Sequence, residues 1–348
     1  MIAKEKAKCA VIGASGYAGE ELVRLLLAHP FADLVAVTSR QHAGKSLAEI
    51  FPKFSHLASA RELHFSDADA AKIAGIAGTV FLALPHGVSA GIAKSFLDLD
   101  ARVIDLSADF RIHDPAVYRE FYGAEHAAPK LLSNAVYGLP EIYRVEIGDA
   151  ALVACPGCYP TSILIPLLPL VREKLVVPDS IAISSLSGVT GAGRKVEADY
   201  LFAECNESAR PYGIPKHRHL SEIEQELAAT AGRRFPVQFV PHLVPMNRGI
   251  ISTMVLEVAA AADESRVDAA YRAAYATEAF VRLLGTVGLP DTKNVAGTNF
   301  IDLSWRIDPR TKRLIVMSAI DNLVKGTSGQ AIQCFNIMHN YPETAGLL

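Results

Sequence analysis

The sequence predicts an α/β protein of two domains, a doubly wound parallel sheet followed by an α+β domain with a largely antiparallel sheet. Three observations carry this expectation. Residues 7–39 read as a β-α-β unit around a glycine-rich turn, apolar strands and helices alternate to about residue 106, and long alternating strands appear after residue 157. At 348 residues the chain exceeds one ordinary core. With 50% apolar and 20% charged residues it has globular composition, and a net charge of -3 argues against nucleic acid as the principal partner. The opening M-I-A-K-E-K-A-K-C-A-V-I-G lacks the apolar region of a signal peptide, and no apolar run reaches the roughly 18 residues that span a bilayer. Five cysteines, an odd number, suit a reducing compartment, so a cytoplasmic protein without a membrane partner is expected.

The first unit places a strand at 9–12, a helix at 19–28 with apolar Leu22, Val23, Leu25 and Leu26, and a strand at 34–38. Between strand and helix runs Gly13-Ala14-Ser15-Gly16-Tyr17-Ala18-Gly19. Its glycines permit a tight turn and close approach of backbone to a pyrophosphate at the helix start, the Rossmann arrangement. The second strand ends in Ser39 and Arg40, with Lys45 nearby, where an NAD site usually carries an acid. That predicts NADP. Further strands at 79–84 and 102–106 flank a helix at 88–97, so the loops 83–87 and 107–111 (S-A-D-F-R) should line the cofactor crevice. His86 reads as a backbone or cofactor contact, and residues 112–149 as a loop-rich cover without a clear period.

The stretch A-C-P-G-C-Y-P-T at 154–161 lies between a buried strand at 150–154 and a proline-interrupted apolar helix at 162–171. Cys158 therefore falls at a strand-to-helix turn. Unpaired N–H groups at a helix start favour an anion and lower a thiol pKa from about 8.5 toward roughly 3.5–7.5. A buried packing cysteine and a Cys155/Cys158 redox pair are the competing readings. Zinc is not expected, because Cys9, Cys205 and Cys334 are scattered singly and the histidines at 217 and 219 have no further ligands near them.

In the second domain, a strand at 181–186 leads to Ser187-Gly188-Val189-Thr190-Gly191-Ala192-Gly193-Arg194, suited to wrapping an anion. Lys216-His217-Arg218-His219 opens a helical stretch containing Glu222, and histidine is the natural acid/base at neutral pH. Strands at 237–240, 250–258, 300–307 and 313–321, with a helix at 264–278, build the sheet. Ser328 reads as the cap of a final helix at 331–339.

Seven runs in this order, G-A-S-G-Y-A-G at 13–19, V-Y-G-L-P-E at 136–141, P-G-C-Y-P-T at 156–161, S-G-V-T-G-A-G-R at 187–194, H-R-H at 217–219, P-M-N-R-G-I at 245–250 and N-L-V-K-G-T-S-G-Q at 322–330, resemble the arginine-pathway branch of the semialdehyde dehydrogenase family. The resemblance implies an NADP-binding domain of residues 1–156 with 322–348, whose last helix returns to it, and a catalytic and oligomerising domain of 157–321. It implies NADPH-dependent reduction of N-acetylglutamyl 5-phosphate to the semialdehyde in a homodimer or homotetramer. On that pattern Cys158 is the nucleophile and His217 the acid/base. Arg194, Arg248, Glu222, Ser187 and His219 bind substrate. Gly13, Ser15, Gly16, Tyr17, Ala18, Gly19, Ser39, Arg40, Pro85, Ser187, Gly188 and Asn322 bind the cofactor, and no metal is involved.

The chemistry fits these residue types. A thiolate displaces phosphate from an acyl phosphate, the thioester accepts hydride, and the thiohemiacetal collapses to an aldehyde. His217, with a pKa near the ordinary 6.5, would take and return the thiol proton. The alternatives are a carrier-linked aminoadipyl-phosphate reductase, an aspartate-semialdehyde dehydrogenase, a thiol-disulfide protein using Cys155 and Cys158, and a non-catalytic NADP sensor.

Overall fold

The computed structural model describes residues 5–194, 196–260 and 262–348; residues 1–4, the start of the charged N-terminal stub, lie outside them. The chain divides into two compact units. One comprises Met1–Arg119, Ala124–Pro156 and Thr327–Leu348, the other Glu120–Gly123 and Gly157–Gly326. Among the described residues no helix is long and apolar enough to cross a membrane.

The first unit is built on seven strands: β1 (Ala7–Ile12), β2 (Ala32–Thr38), β3 (Phe65–Ser66), β4 (Thr79–Leu82), β5 (Arg102–Asp105), β6 (Ala135–Tyr137) and β7 (Leu152–Ala154). Their order is β3-β2-β1-β4-β5-β7-β6, and every pair runs parallel. Alternate residues explain why these strands read as continuous apolar runs. Cys9, Val11, Phe81, Ile104 and Val153 face one core with the helices Tyr17–Ala28 and Gly329–Met338. Ala10, Ile12, Val80, Leu82 and Val103 face the other with Ser89–Leu97. A sheet covered on both faces has no polar alternation to display.

The segment 112–149 is more regular than its sequence suggests. It contains the helix Pro115–Tyr122, strand β6 and the helix Pro140–Asp149, which is interrupted at Tyr143. A three-residue strand and a broken helix are too short to show a period. The expected cap at Ser328 is also absent. Its hydroxyl donates instead to the Ala18 carbonyl at 2.8 Å, while residues Val324–Ser328 form a π-helical turn.

The second unit holds β8 (Ala182–Gly188), β9 (Arg210–Pro211), β10 (Gln238–Val244), β11 (Ile250–Glu257), β12 (Val281–Gly285), β13 (Ile301–Ile307) and β14 (Arg313–Ile320), ordered β12-β13-β14-β11-β8-β10-β9. The β8–β10 and β12–β13 pairs are parallel and the rest antiparallel. Along β11 burial alternates strictly, with Ile250, Ser252, Met254 and Leu256 inside and Ile251, Thr253 and Val255 half-exposed.

The helix Cys158–Arg172 packs on the inner face of this sheet. It begins four residues earlier than the apolar run suggests, because Pro160 in the first turn lacks an N–H that would have no helical partner anyway. Pro166 and Pro169 lie deeper and withdraw the N–H groups that would bond to the carbonyls of Ser162 and Ile165. Both carbonyls are satisfied from outside the helix. Ser318 Oγ on β14 donates to Ser162 O at 2.6 Å, and Tyr275 Oη on the helix Glu264–Tyr275 donates to Ile165 O at 2.6 Å. Tyr271 Oη adds a bond to Pro166 O at 2.9 Å.

Candidate active site

The glycines of the first turn divide by role. Gly13 has φ +84°, and a Cβ there would come 2.6 Å from Ala83 O, while a Cβ on Gly19 would come 2.7 Å from Ala14 Cα. Both are demanded by packing between β1, β4 and the helix. Gly16, the residue preceding the helix, has open space at the Cβ position and gives that helix no side-chain cap. An open backbone at an uncapped helix start suits a pyrophosphate. Ser15, Tyr17 and Ala18 are half-buried around it, and Ser39 Oγ donates to Ser15 Oγ at 3.0 Å. Arg40 and Lys45 are exposed just beyond β2.

Two loops at the carboxyl ends of β4 and β5 are joined by carboxylates. Asp109 accepts from Gly87 N at 2.7 Å, Ala90 N at 2.9 Å and Tyr118 Oη at 2.9 Å. Asp105 accepts from Ser89 Oγ at 2.5 Å and Ser107 Oγ at 2.7 Å. Burial pushes the Asp105 carboxyl up to about 6 despite these bonds. Pro85 and His86 are exposed on the loop thus fixed.

Cys158 is the first residue of its helix, preceded by Gly157, which supplies no side-chain cap. Gly157 is packed from two sides. Its N–H donates to Glu222 Oε1 at 2.7 Å, and a Cβ on it would lie 2.6 Å from His219 Nε2. Cys158 Cβ faces Gly326, where an added Cβ would come within 2.8 Å. Glu222 is fully buried in the first turn of the helix His219–Ala231. The thiol is thus placed by contacts to the residue before it and by the turn at Gly326.

His217 and His219 have ring centroids 4.9 Å apart, and both meet the buried Tyr159 edge-on, at 5.6 and 5.8 Å. Tyr212 Oη donates to Tyr159 Oη at 2.9 Å. His217 Nδ1 accepts the backbone N–H of His219 at 3.1 Å, so the neutral ring carries its proton on Nε2. Burial, assisted by Arg218, lowers its pKa to about 4. This corrects the expectation of a group titrating near 6.5. A protonated ring would turn an Nδ1–H toward the N–H it now accepts.

Three further loops are tied together. Gly188 touches the 245–249 backbone so closely that a Cβ would lie 2.7 Å from Asn247 C. Val189 N donates to Met246 O at 2.9 Å and Thr190 Oγ1 to Asn247 O at 2.6 Å. Asn322, expected at the cofactor, uses its amide here, accepting from Gly249 N at 2.7 Å and donating to Thr190 Oγ1 at 3.0 Å. Arg248 is held by the buried Asp321, Nε to Oδ2 at 3.0 Å. Ser187 is buried, whereas Arg194 is exposed at the end of its loop. Tyr159, Tyr212, Asp321 and Gly326 were not singled out from sequence, although Tyr159 and Gly326 lie inside the quoted runs. All five cysteines are free thiols, and Cys155 is buried.

Comparison with known proteins agrees with both units. A family model for the NAD binding domain of semialdehyde dehydrogenase matches residues 8–150, and one for the semialdehyde dehydrogenase dimerisation domain matches 158–322. The chain is 53% identical over 344 residues to an N-acetyl-gamma-glutamyl-phosphate reductase of Akkermansia muciniphila, covering 99% of each. Among solved structures, aspartate semialdehyde dehydrogenase II from Vibrio cholerae superposes with a TM-score of 0.73 at 15% identity, over 97% of this chain and 99% of that one. The Candida albicans aspartate semialdehyde dehydrogenase, determined with NADP, gives 0.71 at 17% identity, over 96% and 99%.

Proposed function

Because the chain belongs to the semialdehyde dehydrogenase family, we propose that it reduces N-acetyl-L-glutamyl 5-phosphate to N-acetyl-L-glutamate 5-semialdehyde, releasing phosphate, through a thioester on Cys158. The observation that carries this reading is Cys158 at an uncapped helix start, with Glu222 and His219 packed on the preceding glycine.

The helix start favours the thiolate, which attacks the acyl carbon as the carbon–oxygen bond to phosphate breaks. Phosphate departs toward Arg248 and Arg194. A dinucleotide held by the Gly13–Gly19 turn and the helix start after Gly16 would supply the hydride that brings the thioester to the aldehyde level. Collapse of the thiohemiacetal breaks the carbon–sulfur bond and returns the thiolate. His217 enters as an Nε2–H donor to the developing oxyanion rather than as the base for the thiol, because its Nδ1 already accepts a backbone proton. Glu222 holds the turn through Oε1 on Gly157 N, which supports a role beside the substrate.

Arg40 and Lys45 beyond β2, without an acid at its end, support NADP over NAD. The half-exposed apolar face of the second sheet, with Ile251, Val255, Ile315 and Met317, supports a homo-oligomer, and the free thiols support a reducing cytoplasm.

The test is the reverse reaction. N-acetylglutamate semialdehyde with phosphate and NADP should yield NADPH absorbance, with lower rates on the aspartate and aminoadipate semialdehydes. Turnover that survives Cys158→Ser, or a preference for another semialdehyde, defeats the reading.

A further inference from the structure

Ser185, Ser252 and Ser318 stand side by side on β8, β11 and β14, since Ser252 pairs in register with both of the others. All three are fully buried, and the equally buried Ser162 of the nucleophile helix meets their row. Ser162 Oγ donates to Tyr159 O at 2.9 Å and lies 2.8 Å from Ser252 Oγ, which lies 2.7 Å from Ser185 Oγ. Each hydroxyl has one proton and the Tyr159 carbonyl only accepts. The chain therefore runs one way, Ser185 to Ser252 to Ser162 to Tyr159 O. Ser318 Oγ separately holds Ser162 O, the carbonyl orphaned by Pro166.

Ser162 is thus tied to β11 through its side chain and to β14 through its main chain. Apolar packing of the helix on the sheet is non-directional, whereas hydrogen bonds from two strands to one residue are directional and, with those of Tyr275 and Tyr271 to Ile165 O and Pro166 O, specify its position along the axis. Cys158 lies four residues before Ser162, about 6 Å along the same rigid helix.

We propose that Ser162, Ser185, Ser252 and Ser318 are positioning residues that set the axial register of the helix carrying Cys158. The proposal rests on reading Cys158 as the nucleophile. The plainer role, satisfying an orphaned carbonyl, separates from positioning by experiment. Pro166→Ala restores the missing N–H to Ser162 O but cannot restore the tether to β14.

The experiment compares the wild-type protein with Ser318→Ala and Ser318→Ala/Pro166→Ala, reading thermal midpoint, kcat, KM and the pH midpoint of Cys158 alkylation by iodoacetamide. Cys205, half-exposed on the short helix Phe202–Cys205, is the internal control. Ser318→Ala should lower kcat about tenfold or more with KM little changed and shift the Cys158 midpoint but not that of Cys205. The double variant should regain thermal stability without regaining kcat or the midpoint. Recovery of all three in the double variant, or wild-type behaviour of Ser318→Ala, overturns the proposal. If Ser318→Ala does not fold, Ser252→Ala is measured in the same way, and a wild-type kcat and alkylation midpoint there overturn it equally. Turnover surviving Cys158→Ser defeats the nucleophile reading instead, while the alkylation midpoint still reports register.

Discussion

Glu222 Oε1 accepts the backbone N–H of Gly157 at 2.7 Å, so the buried carboxylate of one helix holds the residue that introduces the thiol of another. Removing the acceptor leaves a buried donor unsatisfied, which costs about 1–3 kcal/mol. Glu222→Ala should lose about that much stability by denaturant unfolding, and kcat should fall about tenfold or more. Glu222→Gln, which keeps an acceptor oxygen, should recover most of the stability.

Gly326 and Gly157 are contact positions, not flexible ones. A Cβ at 326 would lie 2.8 Å from Cys158 Cβ, and one at 157 would lie 2.6 Å from His219 Nε2. Gly326→Ala should reduce kcat by about a hundredfold while changing the circular dichroism spectrum little. Wild-type turnover in that variant would contradict the packing described at the thiol.

Histidines make the protein's stability depend on pH. Burial lowers the pKa of His217 and of His339 to about 4, with Arg218 and Arg102 respectively adding to the effect. Unfolded histidine titrates near 6.5, so between about 4 and 6.5 the unfolded chain binds more protons. Their contribution is complete above about 6.5 and is lost as pH falls toward 4. Denaturation midpoints should rise with pH across that window, and less steeply in His339→Asn. Nitrogen-15 spectra at pH 7 should show His217 neutral with its proton on Nε2.

Cofactor choice is testable at Arg40. Replacing it with Asp places an acid beyond β2, where NAD sites usually carry one, and removes a cation available to a 2′-phosphate. Arg40→Asp should raise KM for NADPH about tenfold or more while leaving KM for NADH equal or lower. An unchanged preference would remove Arg40 from the cofactor site.

The parallel sheet was legible because its strands are apolar on both faces and Gly13, Gly16 and Gly19 punctuate the first crossover. Cys158, His217, His219 and Glu222 were legible as residue types in short runs. What escaped depends on contacts distant in sequence. Pro166 and Pro169 read as interruptions of a helix, because their compensation by Ser318 and Tyr275 comes from more than 100 residues away. Serines at inward positions of β8, β11 and β14 look like breaks in an apolar pattern until the strands stand in register. The protonation of His217 turned on one backbone N–H two residues along, a matter of local geometry that composition does not carry.

The central claim is that Cys158 carries the acyl group. Protein incubated with N-acetylglutamyl phosphate and no dinucleotide, quenched in acid and analysed by peptide mass mapping, tests it most directly. One N-acetylglutamyl group should appear on the peptide containing Cys158, labile to hydroxylamine and discharged by NADPH. Acylation at another residue, or no acylation while the same preparation turns over with NADPH, would contradict it.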